Sequence, residues 1–411
     1  MAWAASQNSN SFAKASIALH IMKPRVLAIT DDRQFIRALR VEMPLFNMKK
    51  QGLIDDYVIS DRTLLNVPED ILFDVVWLQR VNTREIIDHL CEKLDCNYLY
   101  DIDDLLISKP VHVPSEQLSA AAVVQRAVCC AKMVTVTSCR LARLLSDRMG
   151  EDIESKAMVC PNGSEFPAGI RTPQQPAGMI CVTSGVMTLG HSADAVIRAC
   201  NDFAMEYGLP IYCFGPPQAF DKFAKKTLVL CGTLPLWHYH QILSAFPAMI
   251  GLVPVETCGD AETLDFIKGK SDVKMVEFGG FGHPSVYSAA PPYLDTDIRA
   301  GIIVRNTYSD WLDALRTAYH DAWRRAGIEQ REIVNIRNMD RIAKRHWYEA
   351  ISQVRLKRPM RGIDVKRGLG TGLFCVDVLK HTMLSLNPQI KAQIRSRLPG
   401  RLYRWAKKFV S

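Results

Sequence analysis

The feature that most constrains this chain is an alternation that runs through it twice. Short runs rich in Val, Ile and Leu recur at residues 25–30, 57–60, 74–79, 98–102, 133–138 and 158–160. Helical patterns lie between them, at 33–43, 83–94, 119–131 and 140–148. Strand-length apolar runs separated by helix-length segments predict a parallel sheet covered on both faces. The alternation breaks at Pro161-Asn162-Gly163 and the prolines at 167, 173 and 176, where neither a helix nor a central strand can continue. It then restarts, with strand runs at 179–183, 210–214, 227–231, 249–255, 285–288 and 301–305. The helical segments of this second half are 192–207, 238–245, 271–278 and 309–326. The expectation is an α/β chain of two doubly wound sheets with a central cleft between them, where ligands collect.

The divisions that follow are a leader over 1–21, a first domain over 22–162 and a second over 163–326. A single helical stretch over 327–354 carries apolar Ile333, Ile336, Ile342 and Trp347, and a basic tail occupies 355–411. The leader is Ser/Asn/Ala-rich with one lysine, Lys14, and lacks the long apolar middle of a secretory signal. It reads as disordered, or as a start placed upstream of Met22. No run approaches the eighteen or so apolar residues of a spanning helix.

Twelve cysteines raise the question of a disulfide or metal framework, yet no Cys-x-x-Cys occurs. The closest pairs are Cys129/Cys130 and Cys91/Cys96, whereas Cys160, Cys181, Cys213 and Cys231 sit in apolar runs that suit a buried free thiol. No metal site is expected, and a reduced, cytoplasmic location is. The net charge of +8 is uneven: residues 355–411 hold 14 Lys/Arg against 2 Asp/Glu, +12, which leaves −4 for the rest. An acidic body with a basic tail points to an anionic partner for the tail.

A nicotinamide-type site needs a glycine-rich turn after the first strand, but Thr30-Asp31-Asp32-Arg33-Gln34 contains no glycine. No phosphate loop of the Walker type occurs either. More informative is the stretch from Lys268 to Glu277. Ser271 is a good N-cap, Lys270 and Lys274 flank the helix start, and such a start is suited to a diphosphate. Glu277, one turn beyond Lys274, can accept hydrogen bonds from ribose hydroxyls; the plain alternative is a surface helix with a Lys–Glu pair. Asp101, Asp103 and Asp104 fall within four residues and invite a Mg²⁺ reading. His191, His238, His240 and His283 lack ligand spacing, and His238 and His240 read as surface or packing residues; His283 lies in a turn that can border the cleft.

Lys-Ser-Asp-x-Lys-x-x-Glu at 270–277, then Gly-x-x-Gly-x-Pro, Ser288 and Pro292-Tyr293, resembles retaining glycosyltransferases of family 4. These have the GT-B fold of two Rossmann-like domains, and the likeness is to bacterial members that build surface polysaccharides. Tyr100 to Leu105, Pro161-Asn162-Gly163, Phe214-Gly215, Gly232-Thr233-Leu234 and the stretch from Asn306 to Trp311 match further landmarks in order. The resemblance implies that Glu277 holds the donor ribose and that Lys270, Ser271, Asp272 and Lys274 bind the diphosphate. It implies that Gly232, Thr233 and Leu234 border the base, and that Asp103 and Asp104 face the cleft from the acceptor side as catalytic residues. Asn162 and Gly163 mark the junction. The chain end is implied to cross back to the first domain. One departure stands out: the family's Glu-x7-Glu would place a glutamate where Gly269 stands, with Lys270 or Asp272 as possible substitutes.

The resemblance therefore implies a nucleotide-sugar donor, no other cofactor, no metal, and a glycan or lipid-linked acceptor. An epimerase of the same fold and a non-catalytic nucleotide-sugar binder are the alternatives. In the tail, Leu402, Trp405, Ala406 and Phe409 share one helical face and Arg401, Arg404, Lys407 and Lys408 the other. That pattern predicts peripheral attachment to an anionic membrane on its cytoplasmic side; nucleic acid is disfavoured because no binding motif accompanies the charge.

Overall fold

The computed structural model describes residues 23–31, 35–108, 121–167, 176–247, 249–320 and 323–366. The leader, and the tail from residue 367 onward, lie outside the described residues. The first half contributes β1 (Arg25–Thr30), β2 (Asp56–Ser60), β3 (Leu72–Phe73), β4 (Val75–Gln79), β5 (Leu99–Ile102), β6 (Met133–Val136) and β7 (Ala157–Val159). The second contributes β8 (Met179–Val182), β9 (Ile211–Phe214), β10 (Leu228–Gly232), β11 (Ile250–Val253), β12 (Ser285–Ser288) and β13 (Ile302–Val304). Two six-stranded parallel sheets result, ordered β2-β1-β4-β5-β6-β7 and β10-β9-β8-β11-β12-β13. Both are doubly wound, so the chain forms two Rossmann-like domains. The inner strands β4, β5, β6, β11 and β12 are buried along their whole length, because helices cover both faces.

In each sheet the strand order reverses next to the first strand: between β1 and β4, and between β8 and β11. Loops leave in opposite directions at such a point and open a crevice at the carboxyl ends of the strands. The two crevices face each other.

The stretch over 327–354 is not one helix. A helix at Trp323–Val334 packs on Val273–Gly280 in the second domain, and a 3-10 turn at Asn335–Arg337 ends it. Asn338 then caps a new helical segment, Met339–Ile342, by accepting from the Asp340 amide. This continues through a π-turn (Ala343–Trp347) and Tyr348–Gln353 against the first domain, where Trp347 stacks on Trp77 with ring centroids 4.6 Å apart. Ile342 and Trp347 are buried, while Ile333 and Ile336 are exposed, so the apolar pattern serves two surfaces rather than one. Beyond it, β14 (Met360–Arg361) pairs antiparallel with β3, a two-stranded addition that no sequence pattern announced. The outgoing passage at 161–166 runs beside the returning one: the Ser164 amide donates to the Arg337 carbonyl at 3.1 Å, and the Met339 amide to the Ser164 carbonyl at 2.9 Å.

Among the described residues, no helix is long and apolar enough to cross a membrane.

Candidate active-site cleft

A cavity of about 280 Å³ lies between the domains where the two crevices meet. Phe35, Ile36 and Leu39 line it from behind β1, and Asp103 and Asp104 from behind β5. From the second domain come Val182, Ser184 and Gly185 behind β8, Val255 behind β11, the run Lys270, Ser271, Val273 and Lys274, and Tyr293; Asn162 joins from the junction. Gly185 allows the two crevice loops to touch, since a Cβ there would stand 2.4 Å from the Pro254 carbonyl oxygen.

The helix beneath the cavity is Val273–Gly280, and its buried face includes every residue from Lys274 to Gly280. This is no surface helix. Glu277 is completely buried: its Oε2 accepts from Lys274 Nζ at 2.6 Å, and its Oε1 lies 3.4 Å from His240 Nε2. Burial pushes the Glu277 carboxyl upward, but Lys274 and His240 outweigh it and hold the group below its ordinary value. The Lys274 ammonium also sits over the rings of Phe35, at 4.6 Å, and Tyr239, at 5.2 Å. A fully buried carboxylate is not offered to a ligand; in this structure Glu277 holds Lys274 at the cleft floor.

The helix starts one residue later than an N-cap at Ser271 would have it. Asp272, not Ser271, occupies the N-cap position, and its side chain makes no cap bond. It accepts instead from Thr296 Oγ1 at 2.5 Å and Arg337 Nη2 at 3.1 Å, away from the cleft. Ser271 Oγ accepts from Asn162 Nδ2 at 2.8 Å, and Lys270 lays its ammonium over Phe266 at 4.8 Å.

Opposite stand the carboxylates of the first domain, and they divide. Asp103 and Asp104 both accept from Arg80, Nη2 reaching them at 2.8 and 2.9 Å. Asp101 is fully buried and belongs to Arg40, whose Nη2 and Nε donate to it at 2.6 and 3.2 Å, with Thr135 Oγ1 donating at 2.8 Å. The three acids therefore serve two arginines rather than one shared ion. Arg40 lies in a π-turn (Ala38–Glu42) and reaches further, to the Cys160 carbonyl at 2.6 Å and Asn162 Oδ1 at 3.0 Å. Its guanidinium stacks 4.5 Å above Trp347. Burial alone would lower its pKa, but Asp101 raises it, so the group stays charged. A continuous chain thus runs Asp101–Arg40–Asn162–Ser271, from the first sheet to the edge of the helix start.

Gly269 ends the helix Ala261–Gly269 and is buried against the first domain. A Cβ there would stand 2.8 Å from Leu105 Cβ. The space a glutamate would need is taken by the interface. Neither substitute presents itself simply: Asp272 is engaged elsewhere, and only Lys270 lines the cavity.

Other residues singled out above lie apart from it. His283 is buried, accepting from the Met249 amide on Nδ1 (3.2 Å) and facing the Leu243 carbonyl through Nε2 (3.0 Å). Burial pushes it down to about 4, so it is a neutral packing residue. Gly232 ends the outermost strand, β10, Thr233 and Leu234 follow it, and none of the three lines this cavity; Gly163 packs against the Arg337 carbonyl. His240, read as surface or packing, is the buried partner of Glu277, and His238 is exposed. Phe35, Tyr239, Arg40 and Arg80 carried no motif, and only the fold brings them here.

No family model matches the sequence, and no curated protein does. The structure is similar to solved structures of Anabaena HepE. One, in complex with UDP and glucose, aligns with a TM-score of 0.54 at 12% identity over 80% of this chain and 100% of that one. A second, with UDP, gives 0.52 at the same identity and coverage. A third, with UDP-glucose, gives 0.52 over 78% of this chain and 97% of that one. The likeness extends to the two-domain fold.

Proposed function

We propose that this two-domain chain is a glycosyltransferase of the retaining type, taking a sugar from a nucleoside-diphosphate sugar to a glycan or lipid-linked glycan. The observation that carries the reading is the pairing of walls at the cleft. On one side stand Lys270, the amides at the start of Val273–Gly280, and Lys274, whose charge Glu277 balances from below; on the other stand Asp103 and Asp104. The first amides of a helix lack intrahelical acceptors and suit a diphosphate. The HepE structures, with UDP and UDP-glucose, support a donor of this class.

In the proposed reaction the bond from the anomeric carbon to the diphosphate oxygen breaks. An acceptor hydroxyl forms the new bond on the same face, and its proton leaves with the diphosphate. Lys270, Lys274 and the helix start stabilise the developing charge. Asp103 and Asp104, fixed by Arg80, orient the acceptor.

One observation favours binding without turnover: Leu105 fills the space beside Gly269, so no carboxylate can reach the sugar from there. A thermal-shift screen of nucleotide sugars, followed by turnover of labelled donor with and without acceptor glycans, decides between the readings. Transfer to an acceptor supports the proposal. An isomerised sugar without acceptor marks an epimerase, binding without turnover a non-catalytic protein, and the absence of any shift defeats all three.

With Lys270 and Lys274 supplying the positive charge, turnover is expected to persist in EDTA. Loss of turnover that Mg²⁺ or Mn²⁺ restores would reassign Asp103 and Asp104 as ligands. The tail is proposed to hold the enzyme on an anionic cytoplasmic membrane face, each basic residue contributing roughly 1 kcal/mol. The full chain is expected to co-sediment with anionic vesicles and one ending at Leu386 to bind less; equal binding of both chains would remove the tail from this role.

A further inference from the structure

Far from the cleft, at the other end of β5, the fold assembles three cysteines that sequence spacing kept apart. Cys91 lies near the end of the helix Arg84–Lys93, Cys96 in the turn leading into β5, and Cys130 at the end of the helix Ala121–Cys130. Their three sulfurs all lie within 4.8 Å of one another. Cys91 is buried and the other two are half-buried.

The backbone goes to some length to put them there. Asp95 and Cys96 both adopt left-handed conformations, with φ of 49° and 57°, which non-glycine residues seldom do, and rarely in succession. The turn is fastened on both sides: the Cys96 amide donates to the Cys91 carbonyl at 3.1 Å, and its own carbonyl accepts from the Lys132 amide at 3.0 Å. This reversal folds a Cys-x4-Cys pair onto one point and brings Cys130 from a different helix.

We propose that Cys91, Cys96 and Cys130 form a binding site for a thiophilic divalent cation of the zinc type. Sulfurs sharing one such ion at about 2.3 Å each stand roughly 3.8 Å apart in tetrahedral geometry, so only a small contraction is needed. Three thiolates suit zinc better than hard cations, which take oxygen ligands. A recess of about 960 Å³ lies beside the turn that carries Cys96, with Asp95 and Asn97 in its wall, although none of the three cysteines lines it; a solvent molecule would complete the four ligands. Three thiolates around one divalent ion leave a single negative charge, which Arg126, close enough to act on Cys91 and Cys130 while paired with Asp88, offsets in part.

A supporting donor is already in place. Tyr98 Oη lies 3.4 Å from Cys91 Sγ and 2.8 Å from the Ala127 carbonyl. The phenol donates its proton to that carbonyl, which would keep the Ala131 amide at 3.0 Å as a donor if the proton turned to a metal-bound thiolate. The ion would tie two helices to the entry of β5 without touching the cleft.

The test uses the full-length chain, reduced, stripped with chelator and titrated with Co²⁺. One equivalent is expected to give a thiolate-to-cobalt charge-transfer band that Zn²⁺ abolishes. Cys96→Ser and Cys130→Ser are expected to lose the band, and Cys129→Ser to keep it, with far-ultraviolet dichroism confirming that each variant is folded. Zinc is expected to raise the melting temperature of the wild type and not that of Cys96→Ser. Should a variant fail to fold, alkylation of the wild type gives the answer: zinc must shield these three thiols and leave Cys129 and Cys258 reactive. No band in the reduced wild type, a band that survives in Cys91→Ser/Cys96→Ser/Cys130→Ser, or shielding of other thiols would overturn the proposal.

Discussion

Glu277→Ala is expected to abolish measurable donor binding and to destabilise the protein by about 3–5 kcal/mol, the usual cost of removing one partner from a buried ion pair. Among the described residues the carboxylate is the one acid at ion-pair distance from Lys274; it also faces His240, and all three are buried. Without it, the ammonium is left among Phe35 and Tyr239 and must find water by leaving the cleft floor. Glu277→Gln keeps the shape and one acceptor, so it should lose less stability while still releasing Lys274. Calorimetry with the donor found by screening, and a urea midpoint, measure the two effects separately. An unchanged donor dissociation constant in the alanine variant would remove Glu277 from the site. The same pair predicts a pH dependence. Because the folded carboxyl is held below its ordinary value, its contribution is complete at neutral pH and is lost as pH falls through that lowered value.

Arg40→Ala should be comparably severe, again about 3–5 kcal/mol, because it strands the fully buried Asp101. Lysine should not rescue it. One guanidinium serves Asp101, the Cys160 carbonyl and Asn162 in a fixed plane and stacks on Trp347, and an ammonium cannot occupy all four relations. Arg40→Met combined with Asp101→Leu is expected to recover much of the stability and little of the donor affinity, since Asn162 would still lack its donor and Ser271 its support. Urea unfolding of the single and double variants checks this. A double variant no more stable than Arg40→Ala would show that the ion pair is not what the single change disrupts.

Both sheets were legible because their strands are continuous apolar runs of adequate length, and all twelve appear. β3 and β14 were not: two residues carry no periodicity, and the partners lie almost three hundred positions apart. The helical stretch after 326 misled because its apolar residues do follow a helical rhythm. Asn338, though, turns the backbone by adopting an extended ψ, and Ile333 and Ile336 are left outside. In the cleft, the segment from Lys270 to Lys274 could be found because a helix start with two lysines is a local feature. The direction of Glu277 could not, since a Lys–Glu pair three residues apart reads alike on a surface or in a core. Arg40 and Asp101 are 61 positions apart, and nothing local to either marks the other. The cysteine site was hidden for the same reason, compounded by a turn that only two successive left-handed residues make possible.

The cavity, about 280 Å³, lies just below the roughly 300–1,000 Å³ of most ligand pockets, and the proposed nucleotide sugar would gain room there as the domains part. How they part is limited by the way the chain passes between them. A single tether would act as a swivel and permit twist, tilt and slide alike. Here two tethers run side by side and are bonded to each other through Ser164, Arg337 and Met339. Two adjoining tethers define an axis and favour rotation about it, once the contacts of Arg148 with Glu262 and Asp265 between the domains are released. Opening then reduces to an angle, and a single pair of distance labels, one per domain, suffices to follow the whole motion.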